Sequence, residues 1–364
     1  MMKTKVAFVG GFLGAGKTTL LFEAARRFSE RGKRVGLITN DQAPELVDTA
    51  YLQTAGLKVE EVSGSCFCCN FKGLIGAIGE LVNAGAQLII AEPVGSCTDL
   101  SATILQPIKE RFGGELEVAA LCVLADPEKL FPLLGAGTSA LHGSALYIME
   151  KQLEEADAIL INKTDLLPPE SVKDLIARCE QKWPQARVLA LSAGTGDGVQ
   201  GFMELIEQSA DGGTHIAPVD YDVYAEGEAV LGWLNLKAVL KCDSPDWNAF
   251  AESLLTALGK RFDAMNLPVG HVKLLLRSGA GHAAGNITGK SPTLRFRGGA
   301  GAEPDAVLIL NARVQTGPEP LKSLILEELQ NACGGGIGLK IAAINCLSPG
   351  RPNPTYRYDR VVRG

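Results

Sequence analysis

Three groups of residues in this chain have the types and spacing to do chemistry. The first is Gly11-Phe-Leu-Gly14-Ala15-Gly16-Lys17-Thr18-Thr19, entered from the apolar run Val6 to Val9. Its glycines let the backbone wrap inward, so that N–H groups from Gly11 to Thr19 point at a polyphosphate on a helix N-terminus. Lys17 neutralises the β- and γ-phosphates, and the Thr18 hydroxyl ligates Mg²⁺. A glycine-rich turn that merely joins strand to helix does not need Lys-Thr at this spacing. The second group, Asn162-Lys163-Thr164-Asp165, follows another apolar run. The Asp165 carboxylate can accept from the N1–H and the exocyclic amine of guanine, whereas adenine would leave it unpaired. The Lys163 stem can lie over the base, and Asn162 can tie this loop to the phosphate loop. Backbone N–H groups of Ser192 and Ala193 are expected to bind the guanine O6. GTP and GDP are therefore the expected nucleotides.

The third group is Gly64-Ser-Cys66-Phe-Cys68-Cys69-Asn70, three of the chain's nine cysteines in four residues. If this segment is extended, Cys66 and Cys68 project to one side and Cys69 to the other. Two such thiolates suit a soft or borderline ion such as Zn²⁺ or Cu⁺. Asp41, in Thr39-Asn-Asp41-Gln42, is the best further ligand for zinc. The bland alternative is a set of small buried thiols. Between the third group and the second, Leu88-Ile-Ile-Ala-Glu92-Pro-Val-Gly95 reads as a strand ending in a switch. The Gly95 amide can contact a γ-phosphate, and Glu92 can hold the Mg²⁺ shell or orient the attacking water. Lys17, Thr18 and Glu92 are thus the expected catalytic residues. Ser96 stands where a Ras-like enzyme has its water-aligning glutamine, so slow intrinsic turnover is expected.

These groups must be carried on strand ends. Apolar runs at Val6–Val9, Val35–Ile38, Leu88–Ala91, Ala119–Leu124, Ile159–Ile161 and Val188–Leu191 alternate with helical patterns. That order predicts an α/β fold, a doubly wound and mostly parallel sheet covered on both faces. With 364 residues, two domains are expected: a nucleotide domain over 1–210, a linker over 211–226 and an α+β domain of unassigned role over 227–364. In the second, strand-like runs at Val230–Leu240, Val272–Arg277, Thr293–Arg297, Ala306–Val314 and Leu339–Leu347 accompany helices from Ser244 and over Pro320–Ala332. The loop Ser278–Pro292 and the tail Gly350–Gly364 read as mobile. The net charge of −6, with no basic and aromatic cluster, gives no reason to expect nucleic-acid binding. No apolar run is long enough for a membrane span. Met1-Met-Lys-Thr-Lys5 runs straight into the first strand, so no cleavable leader and a cytoplasmic location are expected.

Together the motifs at 10–19, 64–69, 92–95, 162–165 and 192–193 resemble the CobW/HypB/UreG group of metallochaperone GTPases, most closely its CobW-like branch, over about residues 5–200. The resemblance implies GTP hydrolysis coupled to the handling of Zn²⁺ or another transition metal, or to assembly of cobalt-containing cofactors. It also implies a client metalloprotein or cofactor-assembly protein, and frequent homodimerisation. Ser65 departs from the family's glycine before the first cysteine, and Asp41 from its commoner glutamate. The four histidines, His142, His215, His271 and His282, form no tract of the kind many zinc-handling members carry. The leading expectation is a GTP-dependent metallochaperone. The alternative is a GTP-gated chaperone that remodels or reactivates a metal- or corrinoid-dependent enzyme.

Overall fold

A computed structural model of the chain describes residues 3–54, 56–135, 137–138, 141–289 and 294–363. Chain contacts divide these into two compact units: residues 1–42, 57–227 and 351–364 in the first, and 43–56 with 228–350 in the second.

The first unit is built on parallel strands β1 (Thr4–Gly11), β2 (Val35–Asn40), β3 (Lys58–Val62), β4 (Leu88–Glu92), β5 (Leu116–Val118), β6 (Cys122–Ala125), β7 (Ala158–Ile161) and β8 (Arg187–Ala190). Their order is β3-β2-β4-β1-β6-β7-β8, with β5 also pairing to β1. Every residue of β4, β6 and β7 is buried, as strands covered on both faces require. The helix Lys17–Glu30 buries Leu20, Leu21, Ala24, Ala25 and Phe28, a stripe at helical spacing that leaves Glu23 and Arg26 to pair on the outer face. The order reverses about β1, so the phosphate loop leaves the sheet at the crevice where doubly wound folds hold ligands.

Two segments expected outside this unit belong to it. Residues 211–214 are pinned rather than free: Gly212 N–H donates to Val118 O (2.9 Å), and Asp157 accepts from the N–H groups of Gly213 (2.6 Å) and Thr214 (2.8 Å). The tail from Arg351 also returns to this unit. Tyr358 N–H donates to Ala102 O (3.0 Å), Val362 N–H donates to Gln106 Oε1 (2.8 Å), and the Tyr356 ring packs edge-on against Phe71. Its prolines and glycines suggested mobility, but its hydrogen-bond donors have fixed partners.

The second unit is an antiparallel sheet of β9 (Gly232–Lys241), β10 (Val269–Ser278), β11 (Gly281–Ile287), β12 (Arg295–Gly299), β13 (Asp305–Val314) and β14 (Gly338–Leu347), in the order β12-β11-β10-β13-β9-β14. The helices Trp247–Ala264 and Pro318–Cys333 bury Leu254, Leu258, Phe262, Leu321, Ile325 and Leu329 against it. Asp246, not Ser244, caps the first of them through Ala249 N–H (2.9 Å). Much of the segment read as a mobile loop is β11, paired to β10 from Ser278–Gly281 to Val272–Ile287. Its Gly and Ala residues hide the alternation that marks a strand. Residues 290–293 of that reading lie outside the described residues. The short helix Val47–Thr54, which precedes β3 in the chain, belongs here as well. Val47 and Ala50 pack with Leu275 and Ile309, Asn311 bridges Val47 N–H (2.8 Å) and Glu45 O (2.9 Å), and Lys273 pairs with Asp48 (2.6 Å).

Candidate functional site

The phosphate loop is held open from below. Lys17 Nζ donates to Gly11 O (2.8 Å), and the Thr18 hydroxyl donates to the Glu92 carboxylate (3.0 and 3.2 Å). Glu92 Oε1 also lies 3.8 Å from Lys17 Nζ, so the three expected catalytic side chains converge at the ends of β1 and β4. Gly16 has φ +99°, and a Cβ there would lie 2.3 Å from Asn162 Nδ2, so no side chain fits between the loop and this amide. A Cβ at Gly95 would lie 3.1 Å from Lys17 Nζ and 2.7 Å from Leu13 Cδ2. Gly95 therefore lets its backbone approach the lysine that would carry the terminal phosphate.

Asn162 does what its place predicts: Nδ2 donates to Ala15 O (2.7 Å), and its Oδ1 accepts from Ala193 N–H (2.9 Å). Ser192 Oγ donates to Asp165 Oδ1 (2.7 Å), orienting that exposed carboxylate. One expectation changes. Ser192 N–H donates to Asp197 O (2.8 Å) and Ala193 N–H to Asn162, so both amides expected on the guanine O6 are engaged within the protein. The turn here serves to brace Asn162 and Asp165.

Lys129 was not legible in the sequence. Its buried Nζ donates to Leu13 O and lies 5.6 Å from the centre of the Phe12 ring, beneath the phosphate loop. Burial brings this lysine down to about 8, with Asp126 opposing the shift. Asp126 is itself buried; burial works against its charge, but Lys163 (2.5 Å) and Lys129 hold its carboxyl below the usual range. The only sequence signal was Asp126-Pro127, an N-cap followed by proline at a helix start.

The cysteine segment is a turn, not a strand. Cys69 N–H (3.1 Å) and Asn70 N–H (2.9 Å) both donate to Cys66 O, and Asn70 Oδ1 caps the helix Phe71–Asn83 through Gly73 N–H (3.0 Å). Asn40 holds the turn from β2, donating to Val62 O and Ser65 O (2.8 Å each) and accepting from Phe67 N–H (2.9 Å). The curl brings Cys69 onto the same side as its neighbours. Cys66 and Cys68 sulfurs lie 3.1 Å apart, Cys68 and Cys69 3.8 Å, and all three within 4.8 Å. Cys97, two residues past Gly95, is buried and influences these thiols, but among the described residues it is outside the group of three mutually adjacent sulfurs. Donation from Cys68, Cys69 and Cys97 holds the Cys66 thiol far below its usual range. Donating to Cys66 holds Cys68 well above that range and lifts Cys69 to about 11. Buried thiols packed this closely present the soft donor set that a thiophilic ion needs. Asp41 is buried after β2, its N–H on Val62 O (3.2 Å), but among the described residues it is outside the group of mutually adjacent donors.

Residues 5–190 match the CobW/HypB/UreG nucleotide-binding domain. The chain is 26% identical over 187 residues to zinc chaperone YeiR of Escherichia coli (strain K12), covering 50% of this chain and 52% of that protein. It is 25% identical over 218 residues to zinc chaperone CobW of Pseudomonas aeruginosa, covering 51% and 56%. The chain thus spans about half the length of the curated relatives it matches. Among solved structures, Zn(II)-bound YjiA GTPase from E. coli aligns over 91% of this chain and 100% of that one, at 15% identity and a TM-score of 0.34. No helix among the described residues is long and apolar enough to cross a membrane.

Proposed function

The chain belongs to the CobW/HypB/UreG family, and from that premise we propose that it is a GTP-hydrolysing metallochaperone, coupling its nucleotide state to the capture and delivery of zinc or cobalt. The observation that carries this reading is the thiol cluster Cys66, Cys68 and Cys69, built from the loop before the helix Phe71–Asn83. GTP is the nucleotide that Asp165 would select. On binding, Lys17 Nζ would leave Gly11 O for the β- and γ-phosphate oxygens, and Gly16 leaves room for Asn162 to fix the loop. Thr18 and Glu92, already joined by a hydrogen bond, would hold Mg²⁺, which neutralises charge developing on the phosphates. Ser96, after Gly95, offers a hydroxyl where an amide would align water, which supports slow turnover. The partner proposed is an apo-metalloprotein or a cofactor-assembly protein, and a homodimer is compatible with this reading. No observation favours the remodelling chaperone over it.

The test is a titration of Zn²⁺, Co²⁺ and Ni²⁺ into chain loaded with GDP or with a non-hydrolysable GTP analogue, unmutated and as Cys66→Ser/Cys68→Ser. A coupling of ~1–3 kcal/mol would separate the two nucleotide states by roughly five- to 150-fold in metal affinity. Linkage requires the metal to change GTP-analogue affinity by the same factor. Equal metal affinity in both states, or affinity unchanged by removing both thiols, sinks the reading and leaves the remodelling chaperone.

A further inference from the structure

We propose that the segment 351–358 is a strap across the cysteine turn, which must lift before metal enters or leaves, so that it sets the rate of exchange. This rests on the metallochaperone reading and adds to it the step that governs release. Cys66 and Cys68 are each 2% exposed, so half-exposed Cys69 marks the open side of the cluster. The segment crosses that side. Asn353 N–H donates to Cys69 Sγ (3.3 Å), Thr355 N–H to Cys68 O (2.8 Å), and the Thr355 hydroxyl to Cys69 O (3.3 Å). Pro352 and Pro354 carry no N–H, so every backbone donor from 352 to 355 is spent on the cysteine turn. An ion arriving at Cys69 therefore meets a backbone amide already seated on its sulfur.

The anchors of the strap lie away from the thiols. The Tyr356 ring meets Phe71 edge-on at 5.2 Å and lies 4.2 Å from the Arg111 guanidinium. Arg357 Nε donates to Asp99 Oδ2 (2.7 Å), Tyr358 N–H donates to Ala102 O (3.0 Å), and the Tyr358 hydroxyl donates to the Glu110 carboxylate. The strap, the cysteine turn and these anchors all belong to the first unit. At the near end, Arg351 pairs with the exposed Asp222, a contact worth little in water. Few groups therefore need to part for the strap to lift, and such local openings cost far less than unfolding. An open form populated at about 10% or less slows exchange roughly tenfold or more. A strap that closes equally over empty and filled thiols changes loading and release by one factor, and so leaves the affinity where it was.

Co²⁺ added to the full-length chain is the probe, followed by its thiolate absorption during loading and during release to excess chelator. Arg357→Ala and Tyr356→Ala alter anchors only, and each should speed both rates roughly tenfold with little change in affinity. Arg357→Lys and Tyr356→Phe, which keep the charge and the ring, should restore slow exchange. Alkylation of the metal-free chain needs no substitution: Cys69 should react roughly tenfold or more slowly than it does once urea has unfolded the chain. Rates in both alanine variants equal to those of the unmutated chain, or faster release with unchanged loading, overturn the strap and leave the metallochaperone reading standing. So does alkylation of Cys69 as fast in the folded chain as in the unfolded one. A chain that takes up no Co²⁺, or takes it up equally well as Cys66→Ser/Cys68→Ser, overturns both.

Discussion

Glu155 shows how a residue without chemistry of its own can set the site. It is fully buried; Thr98 Oγ1 (3.2 Å) and Ser101 N–H (2.8 Å) donate to its two oxygens, so it anchors the loop that carries Gly95 and Cys97. Burial first, and the nearby Asp99 second, push its carboxyl up to about 8. In the folded chain it therefore keeps a proton that the unfolded chain releases near pH 4.5. The folded state binds more protons between those values, so stability falls as pH rises from about 4.5 to about 8 and then levels. The loss should be on the order of 2–5 kcal/mol. Glu155→Gln reproduces the protonated form, donating to Thr98 Oγ1 and accepting from Ser101 N–H. Urea midpoints measured across this range should slope downward for the unmutated chain and flatten for the variant. Equal slopes would show that Glu155 is not the group responsible. Neither Glu155 nor Lys129 could be found by reading the chain. A buried Glu among Lys151-Gln-Leu-Glu-Glu155 is indistinguishable from its solvated neighbours until the tertiary fold covers it. The phosphate-loop residues announce themselves locally, because their role depends on backbone shape and spacing rather than on distant neighbours.

At the scale of elements, the same distinction explains which segments were legible. Parallel strands buried on both faces write themselves as unbroken apolar runs, so β1, β2, β4, β6 and β7 can be read directly, and the edge strand β8, though only partly covered, keeps the run Val188–Ala190. The strand β11, made of Gly-His-Ala-Ala-Gly-Asn-Ile, owes its existence to pairing with β10, which no local pattern records. The tail was misread for a related reason: its partners lie some 250 positions away in the chain. Arg357 Nε and Tyr221 OH each donate to Asp99 Oδ2 at 2.7 Å, and Asp99 is a non-glycine residue at φ +62° with no exposed surface. Burial raises the Asp99 carboxyl and these two donors oppose it, so the arginine is what keeps a charge tolerable there. Arg357→Ala should cost ~1–3 kcal/mol, because it strips a donor from the buried Asp99 carboxylate while the arginine itself is exposed and partly screened. It should also release Asn353 and Thr355 from the cysteine turn. The readouts are a lower urea midpoint and faster alkylation of Cys69, the half-exposed thiol beneath the tail. A midpoint and alkylation rate equal to those of the unmutated chain would mean that the tail is not held by this pair.

At the scale of the whole molecule, the chain order and the structural grouping disagree at residues 43–56 as well as at the returning tail. Residues 43–56 lie between β2 and β3 of the first unit in sequence, yet their contacts are with residues 228–350. The apolar residues Val47 and Ala50 are covered by Leu275 and Ile309. The backbone of the same segment is met by two buried asparagines on neighbouring strands: Asn235 donates to Ala43 O (3.1 Å) and Pro44 O (3.0 Å), and Asn311 spans Glu45 O and Val47 N–H. Such polar groups inside a sheet are costly unless satisfied, and here the segment satisfies them. The helix Val47–Thr54 is also too short to be stable on its own. A chain ending at residue 227 should therefore keep its parallel sheet but lose order over 43–56. Limited proteolysis should nick that segment first in the truncated chain and spare it in the full one. Conversely, Asn311→Leu in the full chain removes one bridge, leaving Val47 N–H and Glu45 O without their partner, at ~1–3 kcal/mol. It should raise cleavage at 43–56 without altering the far-ultraviolet dichroism of the rest. Equal resistance of the segment in the full and truncated chains would show that it folds without the antiparallel sheet, and that its place in the second unit is incidental to its order.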